Sequence, residues 1–283
     1  MELQRKTAII DVGGGLRGVY AAGIFDYCLD KNICFDLCIG ISAGSANVAS
    51  YMAGQKMRNY AFFTEYPFRR EYMSFSNLLL KKSYLDLDYI YGTLSNSDGE
   101  NPLDYQAIMD NPAEFMAIAT EAETGAAAYF DKSDLRQDDY CVLKASSAIP
   151  FVCHPYNVHG KAYYDGALSD TIPIQKAFDY GCEKIVLILT KPKDILRTSK
   201  KDEFLANRIW NKYPMAAERM CKRAERYNQG VALAKEYAKQ GKVLIVAPDD
   251  TCGVDTLTKD KEALKHFYEK GYQDAKAIDT FIK

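Results

Sequence analysis

Two short runs carry the residue types and spacing that acyl transfer needs. The first is Gly13-Gly14-Gly15-Leu16-Arg17-Gly18. Consecutive glycines let the backbone take positive φ and turn several N–H groups into one concavity. A helix that follows directly adds its free N-terminal N–H groups and its positive dipole end. Such a nest binds an anion, either a phosphate or the oxyanion of a transition state. The second run is Gly40-Ile41-Ser42-Ala43-Gly44, a G-x-S-x-G. Its glycines permit a sharp, strained turn that presents a serine hydroxyl at the end of a strand. The N–H of Ala43 then points to the same place as the serine oxygen.

A serine nucleophile needs a base, commonly a histidine oriented by a carboxylate. The chain has three histidines, His154, His159 and His266. In the order Ser…Asp…His only His266 lies far enough downstream, and its charged helical surroundings read as surface. His154 and His159 adjoin Pro155 and Gly160 and read as turn residues. The other choice is a carboxylate. Tyr163-Tyr164-Asp165-Gly166-Ala167 places Asp165 at the end of a short strand. An Asp-Gly pair by itself most often marks a turn.

Both runs sit where a parallel sheet would put them. Thr7 to Val12 is apolar and β-branched and reads as a buried strand entering the glycines. Arg17 to Asp30 reads as a helix, Asp36 to Ile41 as a second buried strand, and Ala43 to Ala53 as a small-residue helix. A right-handed crossover makes these strands parallel neighbours whose following loops open at one sheet edge. The anion nest then lies beside Ser42, which is the geometry of acyl transfer. Downstream, residues 114–120 and 126–130 form an expected hairpin, Ala162 to Tyr164 a short strand, and residues 134–147 a helix. Lys184 to Thr190 is a buried strand, Glu203 to Gln240 is helical with a break near Pro214, and Val243 to Ala247 is a last strand before a helical end. The sum is an α/β fold: three layers, α/β/α, around a mainly parallel central sheet. One domain spans residues 1–283, with an irregular insertion at about 56–101.

Composition narrows the function classes. With 36 Lys+Arg against 38 Asp+Glu, the net charge of −2 argues against nucleic acid as a partner. The 48% hydrophobic and 26% charged fractions are those of an ordinary globular chain. The N-terminus shows no signal-peptide pattern, and the longest uncharged stretch, Leu37 to Gln55, is too rich in Gly, Ser and Asn to span a membrane. The eight cysteines form no CxxC pair and no zinc-like spacing with the histidines. They read as reduced thiols in a cytoplasmic protein. No metal or cofactor is expected.

The order and spacing of four blocks resemble a known family. Gly13 to Gly18, Gly40 to Gly44, Ala145-Ser146-Ser147-Ala148-Ile149-Pro150 and Asp165-Gly166-Ala167-Leu168 look like the blocks of the patatin-like phospholipases, small bacterial members in particular. The resemblance covers about Lys6 to Leu189. It implies a lipid acyl hydrolase of phospholipase A or lysophospholipase type, with a Ser–Asp dyad and no histidine. Ser42 matches the nucleophile and Asp165 the base. Gly13, Gly14, Gly15 and Arg17 match the oxyanion loop, joined by the Ala43 N–H. The block at Asp165 reads DGA where DGG is the common form.

Two other classes compete. A nucleotide-binding protein would use the glycine loop for phosphate, but no Lys-Ser/Thr follows the glycines, and although Gly13, Gly15 and Gly18 have G-x-G-x-x-G spacing, no downstream ribose acid fits. A catalytically inactive lipid- or nucleotide-binding protein of the same fold would not need Ser42, Asp165 and the glycine loop together. The insertion bears on the substrate. Tyr60 to Tyr91 holds ten Phe or Tyr in 32 residues, interleaved with Arg69, Arg70, Lys81 and Lys82. The rings can fill a core, or they can cap the site as an acyl slot while the basic pairs make peripheral contact with a membrane surface.

Overall fold

The computed structural model describes residues 6–282. Eight strands form one sheet: β1 (Thr7–Asp11), β2 (Leu37–Ile41), β3 (Glu114–Glu121), β4 (Ala127–Phe130), β5 (Tyr156–Val158), β6 (Lys161–Asp165), β7 (Lys184–Ile188) and β8 (Val243–Val246). Hydrogen-bonded neighbours run β5-β6-β3-β2-β1-β7-β8, with β4 also on β3. The pairs β3-β2, β2-β1, β1-β7 and β7-β8 are parallel, whereas β4, β5 and β6 join antiparallel.

The parallel strands are apolar on both faces because both faces are covered. Successive residues alternate between two cores. Ile9, Cys38 and Phe115 face the first, which α1 (Val19–Asp30), α2 (Ala43–Met52) and the helix Lys261–Asp274 close. Ala8, Ile10, Leu37 and Ile39 face the second, closed by the helices Ile174–Asp179 and Arg223–Lys239. The three-layer α/β/α expectation therefore holds.

Register explains how distant segments meet. Ile118 of β3 pairs with Ile41 on one edge and Tyr129 of β4 on the other. The next residue, Ala119, pairs with Ala128 of β4 and with Asp165 of β6. A residue has two edges, and β4 occupies the same one throughout. So β2 and β6 share the opposite edge of β3, and β6 begins pairing where β2 stops. Ser42 follows Ile41 at that junction, and Asp165 arrives at it from the other direction.

Some elements differ from the sequence reading. The helix expected over 134–147 is confined to Cys141–Ser147, and Lys132–Asp134 forms a separate 3₁₀ turn with an Asp131 capping box. Two elements, β5 and the helix Ile174–Asp179, had no sequence signal of their own. The segment expected to be irregular contains the helices Arg58–Thr64 and Phe75–Lys81 and a π-helical turn at Tyr89–Thr93. Half of its ten rings are buried, namely Phe62, Phe63, Tyr66, Tyr72 and Tyr91, while Phe68 and Phe75 are exposed.

Candidate active site

The turn from β2 into α2 is strained at the serine. Ser42 takes φ +58° and ψ −134°, a conformation that non-glycine residues adopt rarely and at a cost. Its surroundings hold it there. The Ser42 N–H donates to Ser146 Oγ at 3.0 Å, and Ser146 Oγ–H donates to the Ile118 carbonyl at 2.7 Å. The Ser42 carbonyl accepts from the N–H and Oγ–H of Ser45, at 2.9 and 2.7 Å. Gly44 allows the tight approach of α2 to β1: a Cβ there would lie 2.4 Å from the Asp11 carbonyl oxygen.

The glycine loop folds against this elbow. Gly13, Gly14 and Gly15 have φ of +66°, +139° and +61°, a run that only glycine makes without strain. Asp11, at the end of β1, organises the loop. Its Oδ1 accepts from Gly13 N–H at 2.8 Å, and its Oδ2 accepts from Asn47 Nδ2 on α2 at 2.8 Å. Burial pushes the Asp11 carboxyl up to about 6 against these two hydrogen bonds. Thr190 Oγ1 donates to the Gly13 carbonyl at 2.6 Å. Gly13 thus shapes the loop and spends its N–H on Asp11, so it offers no donor to a substrate. The N–H groups of Gly14, Gly15 and Ala43 have no acceptor among the described residues.

Arg17 is buried behind the loop. Its Nη1 donates to Asp255 Oδ1 at 2.5 Å and to Thr256 Oγ1 at 2.9 Å. These tie the 3₁₀ turn Gly15–Gly18 to the loop after β8, as does the hydrogen bond from Leu16 N–H to the Thr256 carbonyl at 3.0 Å.

Asp165 ends β6 and is 2% exposed. Burial pushes its carboxyl up from the ordinary aspartate value. A hydrogen bond from Ser42, another from the Ala167 N–H, and the charges of Arg223 and Arg197 oppose that shift. Ala167 N–H lies 2.8 Å from Asp165 Oδ1. The structure therefore brings the serine and carboxylate runs together with the glycine loop. The histidines stay apart: His154 Nδ1 pairs with Ser83 Oγ at 2.9 Å, His159 pairs with Asp134 at 2.8 Å on the surface, and His266 is exposed. Ser45 points back into the turn at Ser42 and is fully buried.

Ser42, Asp165 and the loop open into a cavity of about 580 Å³, within the size range of small-ligand sites. Phe62, Phe63, Tyr72, Met73, Leu87 and Tyr91 supply an apolar wall. Four of the ten rings in the insertion thus line the same space as Ser42, while the others pack away from it or face out. The basic pairs are differently engaged than expected. Arg69 forms a bidentate pair with Glu100 at 2.5 and 2.7 Å, and Lys81 is bound to Asp86. No group of side chains able to hold a metal ion occurs among the described residues, and no described helix is long and apolar enough to cross a membrane.

Sequence comparison fits this geometry. A family model described as patatin-like phospholipase matches residues 12–178, more than half of the chain. The chain belongs to the patatin-like phospholipase family. A second model, a domain of unknown function (DUF6363), matches residues 213–279. The uncharacterized protein YjjU of Escherichia coli (strain K12) is 28% identical over 198 residues, 68% of this chain. The chain spans 54% of the length of that curated relative. VipD from Legionella pneumophila superposes with a TM-score of 0.49 and 13% identity, over 98% of this chain and 67% of its own. The type III effector protein ExoU gives a TM-score of 0.44 and 10% identity, over 99% of this chain and 53% of its own.

Sequence reasoning missed the residues that hold the site. Ser146 lies in a block noted for its resemblance, but its role as acceptor for the Ser42 N–H depends on three-dimensional register. Asp11 had a weak signal: a carboxylate at the end of an otherwise apolar strand, directly before the glycines.

Proposed function

We propose that the protein is a serine acyl hydrolase of lipid esters, with Ser42 as nucleophile and Asp165 as its base. One observation carries the reading. A strained serine faces a buried carboxylate beside unpaired backbone N–H groups, in a cavity with an apolar wall.

The chemistry follows from the placement. Ser42 Oγ attacks the ester carbonyl as its proton passes to Asp165. The carbonyl oxygen becomes an oxyanion, and the N–H groups of Gly14, Gly15 and Ala43 donate to it. The tetrahedral adduct collapses by breaking the bond to the alcohol oxygen, which takes the proton from Asp165. A water then attacks the acyl-enzyme and gives its proton to Asp165; the second adduct collapses by breaking the bond to Ser42 Oγ, which takes that proton back from Asp165 as the fatty acid leaves. Raising the Asp165 carboxyl by burial suits this work, since a more basic carboxylate accepts a proton more readily.

The apolar wall accepts the acyl chain. The helix Phe75–Lys81, between the cavity residues Met73 and Leu85, presents Phe75, Leu79 and Leu80 to solvent at 76, 84 and 83% exposure. It is the part of the insertion suited to touch a lipid surface.

The test is labelling with a fluorophosphonate and turnover of a panel of phospholipids, lysophospholipids, glycerides and short p-nitrophenyl esters. Covalent label on Ser42 with turnover of long-chain esters is expected. An unlabelled Ser42 in protein that turns over no ester overturns the proposal.

A further inference from the structure

The cavity has a second pole opposite in character to its apolar wall. Six cations line the cavity; Arg58 is bound to Ser50, Ser95 and the Asn101 carbonyl, and the other five are Arg17, Lys191, Arg197, Lys201 and Arg223. The sequence scatters them. Arg17 follows the glycine loop, Lys191 and Arg197 lie between β7 and the helix Lys200–Ile209, Lys201 is in that helix, and Arg223 starts the helix Arg223–Lys239. Of these five, only Arg17 falls within the residues matched by the phospholipase model.

Carboxylates answer part of this charge. Asp255 takes Arg17, and Asp202 accepts from Arg223 Nη2 and Nε at 2.6 and 3.1 Å. Lys191, Arg197 and Lys201 have no carboxylate within ion-pair distance among the described residues. Five positive charges against these two negative ones leave an excess of three, and counting Asp165 still leaves two. The cations also press on one another. Burial, then Arg17 and Arg197, pull the Lys191 ammonium down to about 8, and burial with Arg223 pulls Arg197 down to about 10.

These side chains are held in place. Arg197 stacks over the Tyr227 ring at 4.6 Å, and its backbone N–H donates to Asn228 Oδ1 at 2.9 Å. Arg17, with a side chain 5% exposed, keeps a buried Nε with no partner. That Nε and Nη2 face Gly14, since a Cβ on Gly14 would lie 3.5 and 3.3 Å from them. A buried donor without an acceptor and an uncompensated group of cations are both costly until an anion arrives.

We propose that Arg17, Lys191, Arg197 and Lys201 form an anion subsite that takes the phosphate of the substrate, and that the enzyme prefers lipid esters whose headgroup carries net negative charge. The preference is over neutral glycerides and over zwitterionic headgroups, whose own ammonium the excess positive charge would repel. The proposal rests on the reading of Ser42 as an acyl-ester nucleophile. The phosphate sits at the cationic pole, the acyl chain lies along the aromatic wall, and the ester between them reaches Ser42. Arg17 and Arg223 are already tied to carboxylates, so Lys191 and Arg197 are the side chains to change.

The experiment compares kcat/KM for lysophosphatidate, lysophosphatidylcholine and monoacylglycerol of one acyl chain, below their critical micelle concentrations. Wild-type protein is expected to favour lysophosphatidate by about tenfold or more, as charge-assisted hydrogen bonds would give. The double variant Lys191→Ala/Arg197→Ala is expected to lose most of that ratio. The ratio is taken within one preparation, so partial misfolding cancels. Equal wild-type rates for the three lipids, or an unchanged ratio in the variant, overturn the subsite. A binding arm uses Ser42→Ala protein and thermal shift. Lysophosphatidate is expected to stabilise it more than the same concentration of inorganic phosphate, and this difference is expected to vanish when Lys191→Ala/Arg197→Ala is added. Equal stabilisation by free phosphate overturns the lipid headgroup as the source. Stabilisation that depends on Lys191 and Arg197 in a protein that cleaves no ester supports the subsite and overturns the hydrolase reading instead.

Discussion

Ile41 and Asp165 stand opposite consecutive residues on one edge of β3, Ile118 and Ala119. A parallel strand and an antiparallel strand thus meet end to end, and the residue after Ile41 is Ser42. The contact between serine and carboxylate is set by backbone hydrogen bonds rather than by loop packing. A site built on strands holds its geometry better than one built on loops.

That placement makes the first prediction. Asp165→Asn keeps the shape and removes the proposed base, so kcat should fall by about 10²–10⁴. Circular dichroism should stay unchanged. His154→Ala, His159→Ala and His266→Ala should each keep most activity, because none of the three lines the cavity. If His266→Ala is as inactive as Ser42→Ala, a triad replaces the dyad. The acid limb of the rate profile follows from the same residue. Asp165 must be ionised to act, and burial raises its carboxyl. Activity should therefore fall on acidification at a higher pH than an ordinary aspartate would give, and Asp165→Asn should remove that limb from any residual rate.

The glycine loop, the elbow and the strand–helix opening were legible because each is a local pattern: three glycines, G-x-S-x-G, and apolar runs bounded by turn residues. The strands of the sheet were legible for the same reason, except β5, which is three residues long. The partners of Ser42 were not legible. Ser146 is 104 residues away and reaches the Ser42 N–H only because both elements pack on β3. In the sequence the aromatic insertion reads as irregular, its rings open to either a core or a cap, because Pro67 and scattered polar residues hide its helices. Helical spacing turns Phe62 and Phe63 inward, where they wall the cavity that holds Ser42. Lys191, Arg197 and Arg223 carry no motif at all, and only the fold collects them.

Ser146 makes the second prediction. It accepts the N–H of a residue at φ +58° and donates its own Oγ–H to the Ile118 carbonyl. Ser146→Ala leaves a buried N–H unpaired at about 1–3 kcal/mol. The elbow should relax, and kcat should fall more than the rate of substrate binding changes. Chemical denaturation and steady-state kinetics read both effects. Wild-type kcat in Ser146→Ala would show that the strained turn holds without this acceptor.

Asp11 makes the third. Its carboxyl is raised to about 6 in the folded protein, against an ordinary value of 3.8. Below 3.8 both folded and unfolded chains hold the proton at this site. Between 3.8 and about 6 the folded chain holds it more tightly, so stability falls as pH rises through that window. The whole step is about 3 kcal/mol and persists above the window. Denaturant midpoints from pH 4 to pH 7 should show the decline, and Asp11→Asn should flatten it relative to wild type. An identical slope in the variant would place the cause among the other raised carboxylates, the buried Asp26 and Asp165 and the half-buried Asp170.

The last prediction concerns how substrate reaches the cavity. The helix Phe75–Lys81 leaves Leu79 and Leu80 almost wholly in water, although each would gain about 1.5–3 kcal/mol on full burial. Ser74 caps it through the Asn77 N–H at 3.2 Å, so the helix is formed and ready to lie on an apolar boundary. Insertion at a lipid surface would bury these residues and place the neighbouring cavity residues Met73 and Leu85 beside the acyl chains. Leu79→Glu/Leu80→Glu should reduce liposome flotation at least tenfold and lower turnover of vesicle-borne lipid in proportion. Turnover of a short, water-soluble ester should change little, because neither leucine lines the cavity. Arg69→Ala should leave flotation nearly unchanged, because Glu100 already neutralises that guanidinium. Flotation that survives the double glutamate change but is lost with Arg69→Ala would assign membrane contact to the basic residues and leave the exposed leucines without a role.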